Sequence, residues 1–290
     1  MTATLAAEQA LNGLQLGLML FLIAAGLTLV LGIMDTINLA HGSLYMAGAY
    51  LAAAFFQGTG SFLAAAVLAI VATALLGALL EMAILRRLYR RDHLSQVLAT
   101  FALILIANET VRMIWGAQPV ELSIPAPFAG AVELAPGFTY SAWQLLIIAA
   151  GLGVAVLLFI LVAHTRTGMR VRAGASNREM AEVMGVDVKR LFTVVFAIGA
   201  ALCALAGALL GPLLAVQVGM GESILILAFV VVVIGGIGSI RGAFVGALLV
   251  GFVDTAGRAL LVPALASIAI YLLMAAVLFW KPQGLFPARG

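Results

Sequence analysis

The sequence predicts an all-α fold, a polytopic bundle of transmembrane helices, and three observations carry that prediction. Apolar residues make up 64% of the 290 and charged residues only 9%. Soluble domains carry about 25% charge, so this chain has no means of covering a water-facing surface. Its apolar stretches run for about twenty residues, enough to cross a hydrocarbon core, without the alternation over about ten residues of barrel strands. Lys and Arg fall in a few tight clusters between those stretches. Nine candidate spans follow: 12–33, 39–57, 61–85, 95–115, 142–164, 191–213, 223–237, 242–259 and 263–280. The second, seventh and eighth are short or glycine-rich, so the expectation is eight to nine spans in one membrane domain covering 1–290.

The first span holds Gly13 and Gly17, four apart, the spacing that lets helices pack closely. The residues before it, MTATLAAEQALNG, lack the basic n-region of a cleaved signal. The span exits into GIMDTINLAHGSLYMAGAY, residues 32–50, which sets Asp35, Asn38, His41 and Ser43 among glycines. A metal site wants three or four ligands, and His41 with Asp35 supplies two. His93 and His164 belong to other segments. Ser43 and His41, two apart, point to different faces of a helix, so they form no local catalytic dyad. Two readings stay open. One is structural: Gly42 and Gly48 allow close packing, Asn38 caps a helix, and His41 bonds a neighbouring carbonyl. The other is a discontinuous helix lining a translocation path, since polar backbone at membrane depth survives only where protein or a wet cavity satisfies it. Asn38, His41 and Ser43 are uncharged donors and acceptors suited to both ends of a zwitterion. The turn carries no Lys or Arg, as a re-entrant turn buried in protein would.

The third span ends in Glu81 and the run RRLYRRDH, with Arg86, Arg87, Arg90 and Arg91, where snorkelling accounts for the charges. In the fourth, Glu109 and Arg112 share a helix face at i, i+3. The stretch 116–141 follows, with two acids, no bases and four prolines. After the fifth span comes the longest basic loop, 165–190, with Arg166, Arg170, Arg172, Arg178, Lys189 and Arg190. Within it Ser176-Asn177-Arg178-Glu179 fits a capping box, and Gly185 stands where a left-handed residue would stop a short helix. That helix would put Met180, Val183 and Met184 on one face. Two isolated turns are unstable in water, so it must dock, on its own bundle or lipid headgroups or in a groove of a cytoplasmic protein.

Beyond it, Gly207 and Gly211 repeat the four-residue spacing, as do Gly238, Gly242 and Gly246. The run Gly235-Gly236-Ile237-Gly238 is read as a weak internal counterpart of the opening break. Asp254 and Arg258 pair at i, i+4 in the eighth span. Cys203 and Trp115, Trp143 and Trp280 are read as packing and interface residues. The lone cysteine excludes an internal disulfide. No G-x-x-x-x-G-K-[ST] loop occurs, so the chain carries no ATPase motif of that kind. With nine spans, thirteen of the fifteen basic residues fall on one side, leaving Arg112 and Arg258 near the other. The positive-inside rule then places the N-terminus outside and the C-terminus in the cytoplasm. The pI of 9.4 is thus a topology signal, and nucleic-acid binding is not expected.

Four stretches resemble the permease subunits of branched-chain amino acid ABC importers: GLTLVLGIMDTINLAHGSLYMAGAY, REMAEVMGVDVKRLFTVVFAIGAALCALAGALLG, AFVVVVIGGIGSIRGAFVGALLVG and KPQGLFP. They span residues 26 to 287. Length and short tail look like the shorter of the two permeases that pair in such importers. The resemblance implies a non-enzymatic transport subunit in the bacterial plasma membrane. Its implied partners are a second, homologous or identical permease, two cytoplasmic ABC ATPases that hold the ATP, and an extracytoplasmic substrate-binding protein. It implies a translocation pathway at Asn38, His41, Gly42, Ser43, Gly235, Gly236 and Gly238. Contact with the ATPase falls to Ser176, Glu179, Met180, Ala181, Glu182, Val183 and Gly185. No cofactor is expected in the chain itself. The substrate is expected to be a branched-chain amino acid or related small polar solute. A secondary carrier or channel for a solute such as urea or an amide is the alternative.

Overall fold

The computed structural model describes residues 3–34, 36, 38–89, 91–260 and 262–287, without the side chains of 3, 263, 264 and 267. Asp35, Arg90 and Arg289 lie outside the described residues. In chain order the elements are α1 (Ala3–Met34), α2 (His41–Thr59), α3 (Phe62–Leu80), a π turn (Glu81–Leu85), α4 (Arg86–Leu88), α5 (His93–Trp115) and a 3-10 turn (Ala126–Phe128). Strands β1 (Ala131–Ala135) and β2 (Phe138–Ser141) follow, then α6 (Ala142–His164), α7 (Arg166–Ser176), α8 (Arg178–Val183) and α9 (Val188–Leu210). The chain closes with α10 (Met220–Gly235), α11 (Ile240–Leu260) and α12 (Pro263–Trp280).

All nine expected spans coincide with helices, and local chemistry explains the shifted ends. Asp92 Oδ2 accepts from Ser95 N at 3.1 Å and Asp187 Oδ1 from Arg190 N at 3.0 Å, so α5 and α9 start at these caps, earlier than expected. Among the described residues six helices are long and apolar enough to cross a membrane (4–34, 62–88, 93–115, 142–164, 188–210 and 240–260), and 220–235 and 268–280 are shorter apolar helices. The stretch 116–141, expected as loop, contains an antiparallel hairpin. Pro136 presets φ at its turn and Gly137 takes a φ of 76° there, which closes the hairpin, while Tyr140 of β2 packs on Leu18 and Ile148. Val120 also bridges Val216.

The core is α1. Residues 18–25 are all 1% exposed or less, on every face, as suits an apolar helix enclosed by others. It packs on α11, α9, α10 and α6, while α2 lies against α3, α9 and α10. The expected glycine spacings do this packing: a Cβ on Gly13 would sit 2.8 Å from Phe252 Cδ1, and one on Gly17 3.0 Å from the Ala247 carbonyl. The outer faces of α3, α5 and α6 expose Leu63, Leu75, Leu79, Leu98, Phe101, Val156 and Leu157. So extended an apolar surface does not face water in a stable monomer. The chain is a multi-pass helical membrane protein.

One end of the bundle gathers the close of α1, the π turn, α7, α8 and the start of α9. The C-terminal tail joins the same end, Leu285 N bonding Ile234 O and Phe286 N bonding Gly235 O at 2.9 Å each. Arg166, Arg170, Arg172, Arg178, Lys189 and Arg190 are on these elements and Arg86 directly follows the π turn, so it is called the basic end below.

Candidate functional site: a helix break and a surface knob

The break expected around 34–43 is present. α1 ends at Met34 and α2 begins at His41. α2 does not start level with the end of α1. The His41 ring lies between Gly26 and Gly199, whose added Cβ atoms would come within 3.0 Å of Nε2 and 3.3 Å of Cε1. Gly26 is eight residues before Met34, about 12 Å back along the helix. The turn therefore re-enters the bundle, as the missing basic residues implied.

His41 is fully buried, and its partner is Cys203, with Nε2 and Sγ 3.1 Å apart. A thiol from α9 joins the backbone of Ile23 as a partner of the ring, and the cysteine read only as packing is part of this contact. Asn38 is 1% exposed, and its Oδ1 accepts from Ala40 N at 3.0 Å, completing the turn before α2. Asn38 Nδ2 finds no hydrogen-bond partner among the described residues. Ser43 N bonds Ala40 O at 3.1 Å. Gly42 lies back to back with Gly221 in the first turn of α10, each backbone filling the space where the other's Cβ would be. Two short helices thus start at one crossing inside the bundle. Their N-terminal amides are the partial positive charges that discontinuous helices offer a substrate carboxylate.

Gly235, Gly236 and Gly238 are not at that crossing. They close α10 at the basic end, about 21 Å along the helix from Gly221. There Gly235 meets Gly242, Gly236 takes a φ of 105° beside the C-terminal tail, and a Cβ on Gly32 would sit 2.6 Å from Gly238 Cα. The two segments proposed as internal counterparts therefore sit at opposite ends of one helix.

Sequence reasoning missed Glu222. It stands in the first turn of α10, where its Oε1 accepts from Asn108 Nδ2 of α5 at 2.6 Å. The signal was the acid of GMGESILILAF directly ahead of an apolar run, just outside the expected span. Among the ion pairs, Glu109–Arg112 (3.2 Å) and Asp254–Arg258 (2.8 Å) form as expected. Snorkelling does not describe Glu81. Its side chain is 0% exposed, and its carboxylate accepts from Arg86 Nη2 (3.0 Å), Tyr89 Oη (3.0 Å) and Thr193 Oγ1 (2.7 Å).

At the basic end α8 forms a knob. The capping box expected at Ser176 is not made. Ser176 is the last residue of α7, and Asn177 caps α8 instead, its Oδ1 accepting from Met180 N at 2.9 Å. Asn is as strong a cap as Ser, and Glu179 falls too early to return the bond. Gly185 has a φ of 85°, and Val186 N bonds Ala181 O while Gly185 N bonds Glu182 O, the paired bonds of a Schellman stop. Ala181 is buried under the knob, Glu179 and Glu182 are exposed, and Met180, Val183 and Met184 are 58%, 82% and 77% exposed.

A buried polar helix break in an apolar bundle, with an apolar knob on one end, is transporter architecture, and comparison with known proteins agrees. The family model described as "Branched-chain amino acid transport system / permease component" matches residues 9–278. The chain belongs to that family. The permease is 32% identical to the high-affinity branched-chain amino acid transport system permease protein LivH of Escherichia coli (strain K12), over 96% of this chain and 94% of the relative. It is 30% identical to BraD of Pseudomonas aeruginosa, which carries the same description, again over 96% and 94%. A 102-residue stretch, 33% of this chain and 28% of the relative, is 37% identical to the fructose import permease protein FrcC of Rhizobium meliloti. No solved structure matches the permease.

Proposed function

We propose that the permease is one half of the membrane channel of an ABC importer that moves branched-chain amino acids, or related small polar solutes, inward. The observation that carries this reading is its likeness over nearly the full length to LivH and BraD, named for high-affinity branched-chain amino acid transport. The chain acts in the bacterial plasma membrane as one permease domain, N-terminus outside and basic end in the cytoplasm. A second permease, identical or homologous, completes the pathway, two cytoplasmic ATPases supply ATP, and an extracytoplasmic binding protein delivers the solute.

The residues divide the work by position. The break at Asn38, His41, Gly42 and Ser43, meeting α10 at Gly221, presents amides and neutral polar groups inside the bundle. The glycine joint at Gly235, Gly236 and Gly238 is assigned to the cytoplasmic end of the same path, as a close-packed hinge. Glu179, Met180, Ala181, Glu182, Val183 and Gly185 form the surface that takes the ATPase, with Ser176 at its edge. ATP binding closes the ATPase pair, the knob moves, and the two permeases rock between inward- and outward-open arrangements.

The test is ATP hydrolysis by the complex reconstituted in proteoliposomes, with binding protein loaded in turn with leucine, isoleucine, valine, urea, a short amide or fructose. Stimulation by the branched-chain amino acids is expected. Uptake that an uncoupler abolishes and ATP depletion leaves intact would instead establish a secondary carrier.

A further inference from the structure

The first residue of the knob reaches past its own helix. Arg178 Nη2 donates to the carbonyls of Ile33 and Met34 at 3.1 and 2.9 Å, the last two residues of α1. Those carbonyls have no partner within the helix, and a cation at a helix C-terminus also meets the negative end of its dipole. The guanidinium carbon lies 4.9 Å from the centre of the Phe192 ring, a cation–π contact that fixes its direction. Among the described residues this is the side-chain hydrogen bond that joins α8 to α1.

The same end of α1 is held from a second side. Tyr89 stands edge-on to Phe192, ring centres 5.3 Å apart, and its hydroxyl lies 3.5 Å from Met34 Sδ and 3.0 Å from Glu81 Oε1. Glu81 in turn ties the π turn to α9 through Thr193. π turns are rare and concentrate at functional sites. The close of α1 is thus clamped between a fixed group, α3 with α9, and a small knob on the surface. Two residues beyond Met34 the chain enters the break that leads to His41.

We propose that Arg178 is a positioning residue that transmits movement of the knob to the end of α1, and so to the start of α2 at His41. Resting on the assignment of α8 as the ATPase-docking knob, this gives the coupling a physical route. Displacing α8 pulls two carbonyls of the helix that carries the break, while the Glu81–Thr193 tie keeps α3 and α9 still. Adjacent elements with two discrete arrangements are what coupling between distant sites requires.

The experiment uses the assembled complex in proteoliposomes and compares wild type with Arg178→Ala, Arg178→Lys and Phe192→Leu. Three readouts are taken: ATPase copurified, ATP hydrolysed, and solute taken up per ATP. A fourth is the rate at which a maleimide labels Leu39→Cys, partly exposed in the turn before α2, with and without ATP and vanadate. Cys203 is fully buried and contributes little background. Arg178→Ala is expected to keep ATPase binding and hydrolysis while uptake per ATP falls about tenfold, and to abolish the nucleotide-dependent change in labelling. Arg178→Lys restores part of both, and Phe192→Leu weakens both with the guanidinium intact. Unchanged uptake per ATP in Arg178→Ala overturns the proposal, as does parallel loss of assembly and hydrolysis in all three variants, which marks a structural or docking role. Failure of wild type to couple uptake to ATP at all is a separate result and overturns the importer reading beneath it.

Discussion

At Gly42 and Gly221 two backbones occupy each other's side-chain space, so the crossing tolerates no methyl group. A Cβ on Gly42 would lie 2.9 Å from the Gly221 carbonyl carbon and 3.0 Å from Leu225 Cβ. Gly42→Ala and Gly221→Ala should each destabilise by about 1–3 kcal/mol, the usual cost of overpacking, and should not add in the double variant. Thermal unfolding in detergent measures both. Gly58→Ala in the same helix is the control, with nothing within 4 Å of its added Cβ. It should be neutral or stabilising by up to about 1 kcal/mol. Far from the break, Tyr140 Oη donates to Asn12 Oδ1 at 2.8 Å and ties the hairpin to α1. Burial first, then the Glu8 carboxylate, push that hydroxyl up to about 12. The raised pKa favours the neutral, donating form, so the tie is complete below the ordinary tyrosine value and is lost as pH rises through the raised one. Tyr140→Phe should cost about 1 kcal/mol near neutral pH, and the difference from wild type should vanish in unfolding curves taken above the raised value.

Among the elements, α8 departs most from self-sufficiency. Six residues cannot hold a helix alone. Asn177 at its start, the Schellman bonds at Gly185 and the anchor of Ala181 hold it in place. Its exposed Met180, Val183 and Met184 are then free for a partner. Replacing all three with Ser should leave yield and unfolding temperature unchanged while weakening ATPase binding by roughly 2 kcal/mol, about thirtyfold in affinity. Copurification and titration of the ATPase check this, and an unchanged affinity removes α8 from the docking surface. The helix was legible because Gly185 and the Met spacing are local signals. Its cap was misplaced by one residue because nothing local shows that α7 runs through Ser176.

For the whole molecule, the distribution of basic residues and the burial of α1 set the frame. α1 is wrapped by α6, α9, α10 and α11, while α3, α5 and α6 turn apolar faces outward. The basic end carries the knob, and the hairpin lies at the opposite end with Tyr140 and Asn12. Orientation can be read with single cysteines on the two ends, because Cys203 is buried. In intact cells with a permeable outer membrane, an impermeant maleimide should label Gly130→Cys and leave Val183→Cys untouched until the inner membrane is opened. The reverse pattern would place the knob outside and end the ATPase assignment.

Features that depend on near neighbours were legible along the chain: the membrane class, the nine helical segments, the clustering of positive charge and the polar break after the first span. Apolarity, caps and charge act over a turn or two, so they are written in order along the chain. The tertiary structure alone decided depth and partnership. His41 meets Cys203, Asn108 meets Glu222, Glu81 meets Thr193, and Arg178 takes the carbonyls of Ile33 and Met34. Each of these pairs is more than a hundred residues apart in the chain. A buried polar group must find its partner wherever packing brings one close, and no local pattern announces which helix that will be.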